Sequence, residues 1–133
     1  MKRLLIIIPA YNEAENIERV VDDLKKNYPQ YDYVVINDGS IDDTAKICKK
    51  KGYNLVDLSI NLGLAGAFQA GMKYAYKYNY DYAIQFDGDG QHNPKYISEM
   101  IEQAEKEKFD IIIGSRFVKE KRPHSLRMMG NTL

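Results

Sequence analysis

The sequence predicts an α/β protein with a mainly parallel sheet and helices on both of its faces. Three observations predict it. Short apolar runs alternate along the chain with stretches of helical periodicity. The connections between them are short, which favours right-handed crossovers between parallel strands. The segment that follows each apolar run is rich in glycine or polar residues. A continuous apolar run of four to eight residues is the pattern of a strand covered on both faces, whereas spacing of i, i+3, i+4 and i+7 marks one stripe of a helix.

The run LLIII at 4–8 is the first strand, and Pro9, lacking an N–H, is expected to end its pairing. Ile17, Val20, Val21 and Leu24 form a helical stripe. Residues 33–36 make the second strand, and a helix over 43–50 follows, with Ser40 and Asp42 as candidate caps. The third strand covers 53–58. Leu64, Ala67, Phe68, Gly71 and Ala75 make the next helical stripe, and 82–86 is the fourth strand. Asn93-Pro94, an N-cap followed by proline at the first helical position, starts a helix carried by Ile97, Met100, Ile101 and Ala104. Residues 110–113 are the fifth strand.

A chain of 133 residues suits one domain or part of one. Nineteen Lys and Arg balance nineteen Asp and Glu, which argues against a general nucleic-acid binder. The single cysteine, Cys48, cannot form an intrachain disulfide, so a reducing compartment is expected, with the thiol acting as a small buried hydrophobe. No apolar run approaches the roughly 20 residues of a spanning helix, and no signal peptide is recognisable. The expected location is the cytoplasm. Residues 114–133 carry Arg116, Lys119, Lys121, Arg122 and Arg127 against Glu120, a balance of +4, and show no secure element. The chain stops at Gly130-Asn131-Thr132-Leu133 without a closing element, and the natural protein is expected to continue.

In open parallel sheets ligands bind beyond the carboxyl ends of the strands. Asp87-Gly88-Asp89 sits there after the fourth strand. Residues i and i+2 of a strand share a face, and two hard oxygen donors suit Mg²⁺ or Mn²⁺ shared with a phosphate-bearing substrate. The bland alternative is a solvated Asp-Gly turn. Asp38, after the second strand, is suited to accept from a base N–H or a ribose hydroxyl. Alternatively, Asp38-Gly39-Ser40 is a turn into a helix, with Ser40 and Asp43 as a capping-box-like pair. Tyr11 offers a ring for stacking on a base, and Glu13 suits a first helical turn; an ordinary strand-to-helix turn explains both equally. Gly63, Gly66 and Gly71 match neither the dinucleotide fingerprint nor a phosphate loop. Close helix–sheet packing is the better account of Gly71. Arg116, at a strand end, is suited to grip phosphate, while a charged tail beyond it is usually just solvated. His92 is a lone turn histidine.

Five strings, Pro9-Ala10-Tyr11-Asn12-Glu13, Asn37-Asp38-Gly39-Ser40-Ile41-Asp42, Asn61-Leu62-Gly63, Asp87-Gly88-Asp89-Gly90-Gln91-His92 and Gly114-Ser115-Arg116-Phe117, resemble in order and spacing the family 2 glycosyltransferases. Within them the chain looks most like the dolichol-phosphate mannose synthase group, which loads sugars onto polyprenyl phosphate. The resemblance implies a Rossmann-like GT-A nucleotide-sugar-binding fold, with residues 1–117 as the donor part and 118–133 as the incomplete, basic start of the acceptor region. It implies that Pro9, Ala10, Tyr11, Glu13, Asp38, Gly39 and Gly63 hold the donor nucleotide. Asp87, Gly88 and Asp89 match the DxD segment, whose two carboxylates bind the metal–diphosphate. Gln91 matches a position near the donor sugar. Arg116 matches an arginine on phosphate at the reaction centre, and Arg127 a second one. Asn37 departs from the pattern, since many members carry Asp there.

The implied activity is an inverting, Mg²⁺- or Mn²⁺-dependent transfer from a UDP- or GDP-sugar to polyprenyl phosphate at the cytoplasmic membrane face, with Asp89 and Arg116 as the catalytic candidates. No nucleic-acid partner is implied, and a homo-oligomer is compatible with the reading. Two alternatives stand beside it: a family 2 enzyme with a glycan or other hydroxyl acceptor, and a nucleotide-binding module without catalysis.

Overall fold

The computed structural model describes residues 3–86, 99 and 111–113. Five strands, β1 (Leu4–Ala10), β2 (Asp32–Asp38), β3 (Leu55–Leu58), β4 (Tyr82–Gln85) and β5 (Ile111–Ile113), form one sheet in the order β3-β2-β1-β4-β5. Every pairing is parallel. Three helices are described: α1 (Ile17–Asn27), α2 (Thr44–Lys51) and α3 (Gly63–Lys77). The helix expected over 93–104 lies outside the described residues. No helix among those described is long and apolar enough to cross a membrane.

The continuous apolar runs arise because both faces are covered. Even-numbered residues of β1, Leu4, Ile6, Ile8 and Ala10, join Ile17, Val20, Val21 and Leu24 of α1 and Cys48 of α2 in one core. Odd-numbered Leu5 and Ile7 join Ala67, Phe68 and Ala75 of α3 in the other. Burying each large apolar side chain contributes about 1.5–3 kcal/mol. Charge placement assists α1, with Glu18 in its first turn and Lys25 and Lys26 in its last, each complementing the helix dipole. Gly52 ends α2 in the left-handed region at φ +71°. Cys48 is fully buried, and burial pushes its thiol up to about 11, with the nearby Asp57 charge adding to the rise.

Several expectations need correcting. Pro9 does not end β1: the strand runs on to Ala10, pairing Pro9 with Ile36 and Ala10 with Asn37. The Ile7 carbonyl accepts from Phe86 N–H on the β4 side, so Pro9, two residues on, also directs its bonding groups to that side. β4 has ended there at Gln85, and the missing donor breaks no ladder. Ser40 does not cap α2, and no capping box forms. The N-cap is Asp43, which makes no side-chain cap bond; Asp42 accepts the Thr44 amide instead, at 2.9 Å. β2 is longer at both ends than expected, and β3 starts two residues later, at Leu55.

Gly71 has the packing role expected of it. A Cβ built there would stand 2.5 Å from Ile7 Cγ2, so α3 lies directly on the central strand only because position 71 has no side chain. Gly71→Ala is expected to lower unfolding free energy by about 1–3 kcal/mol through overpacking. In urea titrations the Ile7→Ala/Gly71→Ala double variant should lose less than the sum of the single losses, because the two positions share one space.

Candidate functional site

The strand order places β1 between β2 and β4, and the crevice beyond its carboxyl end is where ligands bind in such sheets. Three segments meet there. The first follows β1. Pro9 and Ala10 are buried, Tyr11 is 45% exposed, and Asn12 adopts φ +54°, in the left-handed region that asparagine tolerates better than most residues. The second follows β2 and carries Asp38 and Gly39. The third runs from the end of β3 into α3 and carries Asn61, Leu62 and Gly63.

Hydrogen bonds lace the first two segments together. Three successive amides, those of Asn12, Glu13 and Ala14, donate to Ser40 Oγ at 2.9 Å, Thr44 Oγ1 at 2.9 Å and Asp42 Oδ2 at 3.1 Å. In return Asn12 Oδ1 accepts the Ile41 amide at 2.9 Å and the Asp42 amide at 3.3 Å. Desolvation works to raise the Asp42 carboxyl, but hydrogen bonds from the Thr44 hydroxyl and amide and from the Ala14 amide hold it below its ordinary 3.8. The half-buried Glu13 side chain accepts from Asn16 Nδ2 at 3.0 Å.

The second and third segments are joined by Asp38. Its carboxylate is buried, 3% exposed, and takes the Leu62 amide on Oδ1 at 2.7 Å and the Gly63 amide on Oδ2 at 3.0 Å. Asp38 therefore caps α3, three elements further along the chain, and the negative charge rests on the positive end of that helix. Asn61 Nδ2 donates to the Asp38 carbonyl at 3.1 Å. Gly39, at φ +68°, is pressed against the same turn: a Cβ there would stand 2.4 Å from the backbone of Ile60 and of Asn61. Beside it the buried Asn37 donates to Asp57 Oδ1 at 2.7 Å. That bond, with the Lys49 ion pair at 3.0 Å, holds the Asp57 carboxyl below its ordinary value.

Of the residues singled out from the sequence, the structure brings together Pro9, Ala10, Tyr11, Glu13, Asp38, Gly39 and Gly63. Asp87, Gly88, Asp89, Gln91, His92, Arg116 and Arg127 lie outside the described residues. Among the described residues no three His, Cys, Asp or Glu side chains gather to hold a metal. The sequence reading assigned no role to Asn12, Asn61 or Thr44. The signal available for Asn12 was its type: an asparagine just after a strand supplies both a tolerated left-handed backbone and a side-chain carbonyl. A separate cleft of about 250 Å³, between Tyr28, Tyr31, Tyr33 and Lys25, opens near the amino end of β2, at the opposite edge of the sheet.

Residues 5–131 match the sequence model of Glycosyl transferase family 2. The chain is 34% identical over 132 residues to UDP-N-acetylglucosamine–dolichyl-phosphate N-acetylglucosaminyltransferase of Methanococcus voltae, covering 86% of this chain and 52% of that protein. It is 31% identical over 121 residues to undecaprenyl-phosphate mannosyltransferase of Micrococcus luteus, covering 87% and 49%. The chain thus spans about half the length of the curated relatives it matches. Among solved structures it resembles glucosyl-3-phosphoglycerate synthase of Mycobacterium tuberculosis with Mn²⁺, UDP and glucosyl-3-phosphoglycerate. That match has a TM-score of 0.63 at 21% identity, over 76% of this chain and 39% of that one. It also resembles a mannosyltransferase of Pyrobaculum calidifontis with GDP-Man and Mn²⁺, at TM-score 0.57 and 25% identity, over 65% and 27%. The fold is the GT-A fold of nucleotide-sugar transferases.

Two outcomes follow from this geometry. Gly39 and Gly52 share nearly the same φ, but a Cβ at Gly52 meets nothing within 4 Å. Gly52→Ala should cost only the left-handed strain of about 1–2 kcal/mol, and Gly39→Ala clearly more, as compared by urea unfolding. Asp42 and Asp57 both have folded-state values depressed below the unfolded ones. Their contribution is present above about pH 4 and lost as pH falls through the folded values. Asp42→Asn should flatten the fall in melting temperature between about pH 5 and pH 2, measured by circular dichroism.

Proposed function

The chain belongs to glycosyl transferase family 2, and from that premise we propose that it moves a sugar from a nucleoside diphosphate donor to a polyprenyl phosphate. The observation that carries this reading is where the loop amides go. In dinucleotide-binding sheets a pyrophosphate rests on free amides at the first strand-to-helix turn. Here the amides of Asn12, Glu13 and Ala14 are engaged by Ser40, Thr44 and Asp42, and those of Leu62 and Gly63 by Asp38. A diphosphate at this edge needs a positive partner other than these amides.

Asp87 and Asp89 answer that need by another route, since paired carboxylates repel a diphosphate unless a cation lies between them. Their oxygens are hard donors that fit Mg²⁺ or Mn²⁺. The Mn²⁺ bound with GDP-Man in the Pyrobaculum calidifontis mannosyltransferase supports the same use here. When bound, such a cation supplies Lewis-acid neutralisation of the leaving nucleoside diphosphate.

The other residues take their parts around the donor. Tyr11, exposed at the rim, stacks on the base. Each Asp38 oxygen holds one amide and keeps a second lone pair, so it still accepts from a base N–H or a ribose hydroxyl. Pro9, Ala10, Glu13, Gly39 and Gly63 shape the nucleotide side, and Gln91 is assigned to the donor sugar. Residues 1–117 form the donor part and 118–133 begin the acceptor region. The acceptor assignment draws on relatives named for dolichyl and undecaprenyl phosphate.

It also suits the chemistry. An acceptor phosphate oxygen attacks the anomeric carbon from the face opposite the diphosphate. The new C–O bond forms as the old one breaks, which inverts the centre. A phosphate monoester with a second pKa of about 6 is largely ionised at neutral pH, so no general base is required. Arg116, assisted by Arg127, orients it through paired N–H donors. The reaction then takes place at the cytoplasmic face of the membrane, where such a lipid is presented.

Calorimetric titration with UDP and GDP tests the donor site. One of the two should bind in Mn²⁺ and lose most of its affinity in EDTA. Asp89→Ala should abolish the metal-dependent part while leaving thermal unfolding unchanged. Absence of metal-dependent binding by either nucleotide in the unaltered chain would sink the reading.

A further inference from the structure

We propose that Asn12 is a positioning residue of the nucleotide site, holding the Tyr11 ring in its binding pose by latching the β1–α1 turn onto the β2–α2 turn. The proposal rests on the nucleotide-site reading above and adds a residue that reading does not use.

Tyr11 stands between two unlike neighbours. Before it, Ala10 is buried and paired to β2 through Asn37. After it, Asn12 turns the chain at φ +54°. The residue is 45% exposed, and no hydrogen bond among the described residues fixes its hydroxyl. The backbone on either side limits the rotamers open to it. On the strand side the sheet holds that backbone. On the other side it is held by Asn12, which bonds in both directions. Its amide donates to Ser40 Oγ at 2.9 Å, and its Oδ1 accepts two successive amides, of Ile41 at 2.9 Å and Asp42 at 3.3 Å.

Few side chains satisfy all three demands. The left-handed backbone selects glycine, asparagine or aspartate. The two amides of Ile41 and Asp42 require an acceptor oxygen one carbon beyond Cβ, which excludes glycine. Asn12 and Asp remain, and aspartate brings a charge close to Asp42. Neighbouring bonds from Glu13 to Thr44 and from Ala14 to Asp42 keep the turn attached when Asn12 is changed. The loss should therefore appear as a loosened Tyr11 rather than as an unfolded protein. A ligand that stacks on a ring held in advance avoids the ordering cost of fixing it.

Affinity for UDP and GDP in Mn²⁺, measured by calorimetry, tests this in Asn12→Gly, Asn12→Asp, Tyr11→Ala and the Tyr11→Ala/Asn12→Gly double variant, with thermal unfolding recorded for each. Asn12→Gly keeps the backbone region and loses the acceptor; it should weaken the preferred nucleotide about tenfold, or ~1.4 kcal/mol. Asn12→Asp keeps an acceptor oxygen and should stay within about threefold of the unaltered chain. In the Tyr11→Ala background Asn12→Gly should cost almost nothing further, because its effect passes through the ring. Unchanged affinity in Asn12→Gly, or an undiminished further loss in the Tyr11→Ala background, would overturn the proposal alone. An unaltered chain that binds neither nucleotide would overturn the site reading and this proposal with it.

Discussion

The constraint on which the rest depends is that backbone N–H groups leaving the strand ends must find acceptors. In this sheet the turns satisfy one another. Asp38 serves the turn after β3, Ser40, Asp42 and Thr44 serve the turn after β1, and Asn12 serves the turn after β2. Each carboxylate–amide bond of this kind contributes about 1.5–3 kcal/mol, more than a neutral pair, and costs as much or more when one partner is removed. The result is a single laced edge rather than three independent loops. That edge does not present these amides to a phosphate, which is why the proposed chemistry turns to carboxylates and a divalent cation.

The described elements were legible in the sequence because their signals are local. The LLIII run needed both faces covered, and α1 and α3 cover them. The stripe of Ile17, Val20, Val21 and Leu24 is buried along its whole length in α1. Gly71 could be read as a packing position because its helix had to approach a sheet. The errors came where a local rule met a non-local neighbour. Pro9 ends pairing only if a partner strand stands on its bonding side, and β4 stops short of it. Ser40 is a fair cap by type, but its hydroxyl is taken by an amide 28 residues earlier.

The site was legible to a lesser degree. Its location followed from one topological rule, and Tyr11, Asp38 and Gly39 do come together at the carboxyl edge. The structural work of Asp38 was not visible: the sequence placed it in a turn leading to α2, with Ser40 and Asp43 as the capping pair, whereas its carboxylate caps α3. Asn12 offered only the signal of its type, because its partners, Ile41 and Asp42, belong to a different strand–helix unit. No periodicity or motif within one unit reports a bond of that kind.

The strand order has a kinetic side. β1 meets β2 through the α1 unit alone, a closure that can form early. Its other neighbour arrives only when Leu4 finds Tyr82, after two further strand–helix units have been laid down. Long-range parallel pairing of that sort is slow, since loop entropy is lost before contacts reward it. The β1–β2 side of the sheet can thus be assembled while the central strand still has one open flank, and that bare flank is the stretch a nascent or destabilised chain has most need to shield from association.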